Sequence, residues 1–314
     1  MEGLNEGPSI PMIVIRDIVT IDEVRAVEAL QKEVWGGDDL DVVPLTLLVA
    51  AREVGGILVG AFDGDRIAGF AFGFVGYEER HGSTHPNKPI HLPSGPFSLG
   101  SQAGIQPVIH SHMLAVKPEY RNLDLGYKLK LAQRERALAA GFSIMTWTFD
   151  PLQCVNAHLN FGKLGVVSDA YKIDVYGAQT SSFLHRNGTD RLWVSWLLSS
   201  ARVKAKLSEG PGEPRDRTDL TSLISVGDGE IPVKNAAVLS EERPPLAIEI
   251  PGDISEIGRR EPELSIAWRE ATREAFTEAL ALGYVVSDFH RGKRAGAWFG
   301  FYVLTPGRRL EEIA

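Results

Sequence analysis

One stretch constrains this chain more than any other: His110–Lys130, HSHMLAVKPEYRNLDLGYKLK. An apolar run meets a proline, and an Arg/Lys-rich segment with a glycine follows at helical spacing. Pro118 has no backbone N–H for a sheet ladder, so it ends the strand. A strand feeding a helix start presents free backbone N–H groups and the positive end of a helix dipole. Such a place holds phosphate. Arg121 stands at the turn with paired donors for an anion, and Gly126 lets a bulky group approach the backbone. His110 and His112 enter the strand. Two residues apart, they share one face, and the same period puts Leu114 and Val116 there as well. A phosphate cradle beside two imidazoles points to group transfer from a phosphate-bearing donor. The plainer alternative is an ordinary strand–turn–helix connection with a solvated basic face.

The flanking patterns alternate strand and helix. Met12–Val19 reads as a strand, and Ile21–Trp35 as a helix capped by Thr20 or Asp22. Pro44 starts a second helix through Val54. Ile57–Phe62 and Ile67–Val75 flank Asp63-Gly64-Asp65, a hairpin signal. Arg80–Pro107 has neither period and is expected to be a long loop. The motif strand Val108–Val116 and helix Leu123–Ala140 follow. Then come strand Phe142–Phe149, helix Val155–Leu164, and strands Val167–Val175 and Arg191–Leu198. The expected division is a domain over 1–202, a linker over 203–245 with a short strand at Leu220–Val226, and a C-terminal lobe over 246–314. In that lobe Pro262–Leu282 carries an apolar helical stripe (Leu264, Trp268, Ala271, Ala275, Ala279, Leu282) between strands. The stripe needs a partner, either the sheet or a second subunit, so a homodimer stays open.

The bulk numbers exclude several classes. Acids outnumber bases 41 to 33, a net charge of −8, which opposes general nucleic-acid binding and an anionic membrane surface. No apolar run reaches membrane-spanning length. The first residues lack a signal-peptide pattern. Cys154 is the single cysteine, so no intrachain disulfide forms, which is compatible with a cytoplasmic protein.

The residues Leu114–Val116, Pro118, Arg121 and Gly126 resemble motif A of the GNAT superfamily of acyl-CoA-dependent N-acyltransferases. Asp124 stands where that motif has its first glycine. Ala157, Phe161, Lys163 and Gly165 are similar to a second family segment, in which the asparagine column falls on Cys154, with Asn156 two residues on. The family's tyrosine acid falls on Phe161. TFDPLQ (Thr148–Gln153), NAHLNF (Asn156–Phe161), LHRNGTDR (Leu184–Arg191) and WREATREAF (Trp268–Phe276) resemble a bacterial branch found beside N-succinylamino-acid racemases.

The resemblance implies a mixed, mostly antiparallel twisted sheet flanked by helices, an α/β (α+β) fold with a smaller C-terminal α+β lobe. It implies acyl-CoA, as acetyl-CoA or succinyl-CoA, as cosubstrate, held by Leu114, Ala115, Val116, Arg121, Asn122, Asp124, Leu125, Gly126, Tyr127 and Asn156. It implies direct transfer to a small amine, foremost an amino acid, with His112 and then His110 as bases and no metal. An oxyanion donor is expected from the backbone near Leu114 or Ala115. Tyr127, Tyr171 and Tyr176 are candidates for the missing acid, Cys154 for a covalent nucleophile, and Glu78 or Glu79 for a base acting through water. Arg269 and Arg273, one turn apart, together with Arg186 and Arg191, are candidates for a substrate carboxylate. The alternatives are a degenerate CoA- or metabolite-binding module without turnover, and an enzyme acting on a protein amine.

Overall fold

The computed structural model describes residues 12–36, 42–79, 105–177, 187–210, 220–235, 243–294, 296–307 and Leu310. His81, His85, His91 and Arg186 lie outside them, as does nearly all of the expected loop 80–107. The elements run β1 (Ile13–Asp17), α1 (Ile21–Trp35), α2 (Leu45–Glu53), β2 (Ile57–Asp63), β3 (Arg66–Glu79), β4 (Ile105–Val116), α3 (Leu125–Ala139), β5 (Ile144–Phe149) and α4 (Cys154–Ala157). A wider π-type coil, His158–Leu164, continues α4. Then follow β6 (Val167–Lys172), β7 (Arg191–Leu197), α5 (Ala201–Glu209), β8 (Thr221–Val226), β9 (Pro232–Lys234), β10 (Leu246–Pro251), α6 (Ile254–Arg260), α7 (Pro262–Ala281), β11 (Tyr284–Arg294) and β12 (Ala297–Pro306).

The strands form one mixed sheet in the order β1-β2-β3-β4-β5-β7-β6-β11-β12-β10-β8-β9. Every described pairing is antiparallel except β4–β5 and β10–β8. The expected fold class, a mostly antiparallel sheet flanked by helices, is the one observed. Helices cover both faces of β2–β4. On one side Val24, Val27 and Leu30 of α1 and Leu48 of α2 pack on Leu58, Phe70, Phe72, Met113 and Ala115. On the other, Leu125 and Leu129 of α3 join Val59, Ala71 and Ile109. Local chemistry sets the ends. Thr20 and Glu23 form a reciprocal capping box at the start of α1.

The range 203–245, expected as a linker with one strand, holds most of α5 and both β8 and β9. Thr221, Ser222 and Ile224 of β8 pair with β10, so this range joins the sheet. The C-terminal strands meet the rest through a single pair, Val286↔Ser168.

Strand β4 is irregular on both of its edges. Phe72 pairs with Met113 but Gly73 pairs with Ser111, so His112 is an extra residue in β4, a bulge. And β4 pairs with its parallel neighbour β5 only through Ile109↔Met145 and His110↔Thr146. Beyond that point the two strands part.

Candidate functional site

The bulge resets the strand's alternation. His110 and His112 share a face, as expected, but Leu114 and Val116 do not share it with them. Leu114 and Val116 pack with the α3 side, while Met113 and Ala115 pack with the α1/α2 side that His112 faces. One inserted residue exchanges the two faces for the rest of the strand.

The histidines sit in an aromatic setting. His110 lies 5.1 Å from Trp193 and 5.5 Å from Phe74, ring centre to ring centre. His112 lies 5.7 Å from Phe74 and 6.4 Å from Phe72. Nδ1 of His110 is 3.0 Å from Oγ1 of Thr146. Burial, with His112, Lys130 and Lys172 nearby, pushes His110 down to about 4. Burial also lowers His112, although the residue as a whole is exposed, more so than His110. Near neutral pH both rings are therefore uncharged and able to accept a proton.

The cradle lies at the other end of β4. A 3₁₀ turn, Pro118–Leu123, leads into α3 and carries Arg121 and Asn122 exposed. Asp124 adopts the left-handed conformation (φ 56°, ψ 28°) that a glycine would take without cost. Its carboxylate does not cap the helix. It reaches away to Lys163 Nζ at 2.8 Å. The first N–H groups of α3 thus have no side-chain cap. Leu125 is buried, so only its backbone is available there. A Cβ on Gly126 would meet Leu114 Cδ2 at 3.7 Å and Leu159 Cδ2 at 3.9 Å, ordinary contacts. The protein's own packing leaves room above Gly126. Tyr127 is partly buried, with Lys163 Nζ 5.5 Å from its ring centre. Asn156 lies exposed on α4.

Between cradle and histidines runs the fork. Residues Met113–Val116 pair with β3 on one side. On the other side they have no β5 partner, because Trp147–Phe149 pair with β7 only. Among the described residues the strand's inner edge therefore offers N–H and C=O groups with no strand partner, as a sheet edge does.

Other candidates resolve differently. Arg269 and Arg273 do not flank a vacant anion site. Arg269 donates to Asp150 Oδ1 and to the Asn187 carbonyl, both at 2.8 Å. Arg273 grips both oxygens of Asp190 at 2.8 and 2.9 Å. Tyr171 donates to the same carboxylate and, buried, is raised well above the ordinary tyrosine range. Phe161 is fully buried against Phe149 and Tyr302 and carries no hydroxyl to donate. Burial pushes the Cys154 thiol up to about 11, so it stays protonated and is no thiolate nucleophile. Glu78 accepts the Trp193 indole N–H at 3.1 Å.

Sequence reading passes over Phe74, Thr146, Lys172, Trp193 and Lys130. Apolar patterning hides the aromatic pair, since Phe and Trp in strands read as core. Lys130 reads as part of a solvated basic face, yet it is 3% exposed.

No protein-family model matches this chain, and no curated protein matches it. Solved structures do. The ribosomal-protein-S18-alanine N-acetyltransferase of Escherichia coli is 12% identical, over 60% of this chain and 96% of that one, with a TM-score of 0.41. A putative acetyltransferase from Salmonella typhimurium with its cofactor acetyl-CoA is 14% identical, over 61% and 97%, with a TM-score of 0.40. An aminoglycoside 6′-acetyltransferase type Ii is 14% identical, over 60% and 98%, also with a TM-score of 0.40. Likenesses this distant carry no functional argument, which rests on the geometry of β4, β5 and α3.

Proposed function

We propose that the protein is an acyl-CoA-dependent N-acyltransferase acting on a small amine that bears a carboxylate, as an amino acid does. The carrying observation is the fork: an open strand edge leading from an uncapped helix N-terminus to two neutral histidines. Its length, about six residues or roughly 20 Å, suits a ligand with an anionic end, amide groups along its arm and a reactive tip. Coenzyme A thioesters have that order. The pyrophosphate would meet α3, Arg121 and Gly126, and the pantetheine amides would pair with Met113–Val116. The thioester would then reach the bulge. Asp124 does not repel the phosphates strongly, since Lys163 neutralises it.

Transfer needs a free amine, a proton acceptor and donors for the carbonyl oxygen. His112, the more exposed of the two, takes the amine proton as nitrogen attacks the thioester carbon. His110, held by Thr146, stands behind it. The unpaired backbone of the bulge and of Leu114 and Ala115 supplies donors to the carbonyl oxygen.

The carboxylate reading rests on Lys172 and Arg191, which are direct cross-strand partners. Lys172 Nζ lies 4.2 Å from the centre of the Trp193 ring, which itself stacks on His110. Arg191 is buried and donates to the Asp190 carbonyl at 2.8 Å. Glu78 attracts Lys172 and Asp150 attracts Arg191. Like charges directly opposite in a sheet destabilise it, and a substrate carboxylate would relieve them.

Thermal melts with acetyl-CoA and succinyl-CoA, then thiol release across a panel of amino acids, simple amines and peptides, test this reading. The expected result is stabilisation by a thioester and release with amino acids. Replacing Lys172 by Met should raise KM for the amino acid about tenfold while leaving that for acyl-CoA unchanged. Stabilisation without release would leave a binding module. No stabilisation by either thioester would remove CoA altogether.

A further inference from the structure

The fork has a vertex, and one side chain occupies its underside. Ser111 is the first residue of β4 past the last β4–β5 pair, and Trp147 is the first of β5. Lys130, from α3, touches both. Its Nζ donates to Ser111 Oγ at 2.7 Å and lies 3.7 Å from the centre of the Trp147 ring. Ser111 Oγ in turn donates to Gln133 Oε1 at 2.8 Å. No carboxylate pairs with this ammonium among the described residues, and its titratable neighbour across the strand, His110, is kept uncharged in part by Lys130 itself. Gln133 is fully buried, and its Nε2 finds no acceptor. The cluster beneath the vertex is thus short of one acceptor, and a buried donor left so calls for an explanation.

We propose that Lys130 is the acid that protonates the departing CoA thiolate. This rests on the acyl-CoA reading and adds the partner that Phe161 cannot supply. The two proton transfers then fall on opposite faces of the sheet. On the histidine face the amine nitrogen bonds to the carbonyl carbon and gives its proton to His112. On the α3 face the C–S bond breaks, sulfur keeps the electron pair, and Lys130 Nζ gives it a proton. His112 returns its proton to water, and Lys130 regains one from water as thiol leaves. The sum is amine plus thioester giving amide plus thiol. Burial favours the donation: it pushes Lys130 down to about 7, below a thiol near 8.5. Giving up the proton also removes a charge that the interior disfavours.

The test exploits the leaving group. Wild type and Lys130→Met are assayed with acyl-CoA and with an aryl thioester of the same acyl group, whose thiolate departs without an acid. The expected result is a loss of about 10²–10⁴-fold in kcat with acyl-CoA, near-normal turnover of the aryl thioester, and unchanged acyl-CoA binding. Equal losses with both donors would reduce Lys130 to a structural role. Full activity with acyl-CoA would overturn the proposal. A second measurement needs no variant: kcat of the wild type over donors of graded thiol pKa should be nearly flat, and a steep dependence would exclude an acid. Inactivity of the wild type with every donor would remove the acyl-CoA reading itself, a different outcome from a normal Lys130→Met enzyme.

Discussion

Two helices bring cations to the sheet, and the sheet partners them in opposite ways. On α7, Arg269 meets Asp150 and a backbone carbonyl, and Arg273 meets both oxygens of Asp190, which also accepts from Tyr171 and the Asp174 N–H. On α3, Lys130 has a hydroxyl and an indole face. The α7 set fastens the C-terminal helix to the ends of β5 and β7. Removing Asp150 or Arg269 would leave the other charge stranded in the interior, and removing Arg273 would strand Asp190. Lys130 fastens little and costs stability, and a costly group kept in a fork points to chemistry rather than packing.

Breaking the fastened side should give the largest effect. Asp190 is fully buried, and Asp190→Ala takes the carboxylate from the half-exposed Arg273 and leaves Tyr171 and the Asp174 N–H without their acceptor. The expected loss is about 2–4 kcal/mol, read from denaturant melts. Burial alone would raise the Asp190 pKa, but Arg273, Tyr171 and the Asp174 N–H outweigh it, so the net shift is downward. Its stabilisation is present above the ordinary carboxylate range and fades as pH falls through the depressed folded value. The gap between wild type and variant should therefore narrow in acid. A variant as stable as the wild type at neutral pH would end the distinction between the two helices.

On the catalytic side, His112→Ala should lower kcat by about 10²-fold. The acid limb of the wild-type kcat/KM profile should lie below the ordinary histidine value, since burial lowers His112, and should vanish in the variant. An unmoved limb would assign the base elsewhere.

Lys130→Met sharpens the contrast through the sign of a smaller effect. Its folded pKa is lowered to about 7, so the unfolded chain binds more protons between there and the ordinary lysine range. Wild-type stability gains as pH rises through that window. Melts should find the variant more stable than wild type at pH 6, with the advantage shrinking toward pH 10. A destabilised variant at both values would mean that Lys130 fastens after all.

The smallest change is Asp124→Gly. It relieves a left-handed residue, a gain of up to about 1 kcal/mol in thermal stability, and takes a carboxylate from the cradle. KM for acyl-CoA should fall a few-fold. A rise would show that the Asp124–Lys163 pair helps to hold the ligand.

Much of the fold is legible in the sequence. The hairpin around Asp63-Gly64-Asp65, the cap at Thr20, the strand end at Pro118 and the 262–281 helix each follow from local chemistry, and all are present. The cradle is legible too, since a strand–turn–helix start is a local arrangement. The bulge is not. HSHMLAV alternates well enough as an ordinary strand, and only pairing with β3 shows that His112 has no partner of its own. The α7 arginines read as free anion binders because their carboxylates lie more than eighty residues away in sequence.

The sequence alone determined the hairpin, the helix caps, the end of β4 at Pro118 and the histidines' common face, because period, capping and turn chemistry act over a few residues. Tertiary structure alone decided where β4 and β5 part, which face Leu114 and Val116 take, and that Lys130 is buried under the vertex while Arg269 and Arg273 are spoken for. Those outcomes depend on which distant strand or carboxylate arrives beside a residue. No local pattern encodes that choice, since a solvated lysine and a buried one have the same neighbours in sequence.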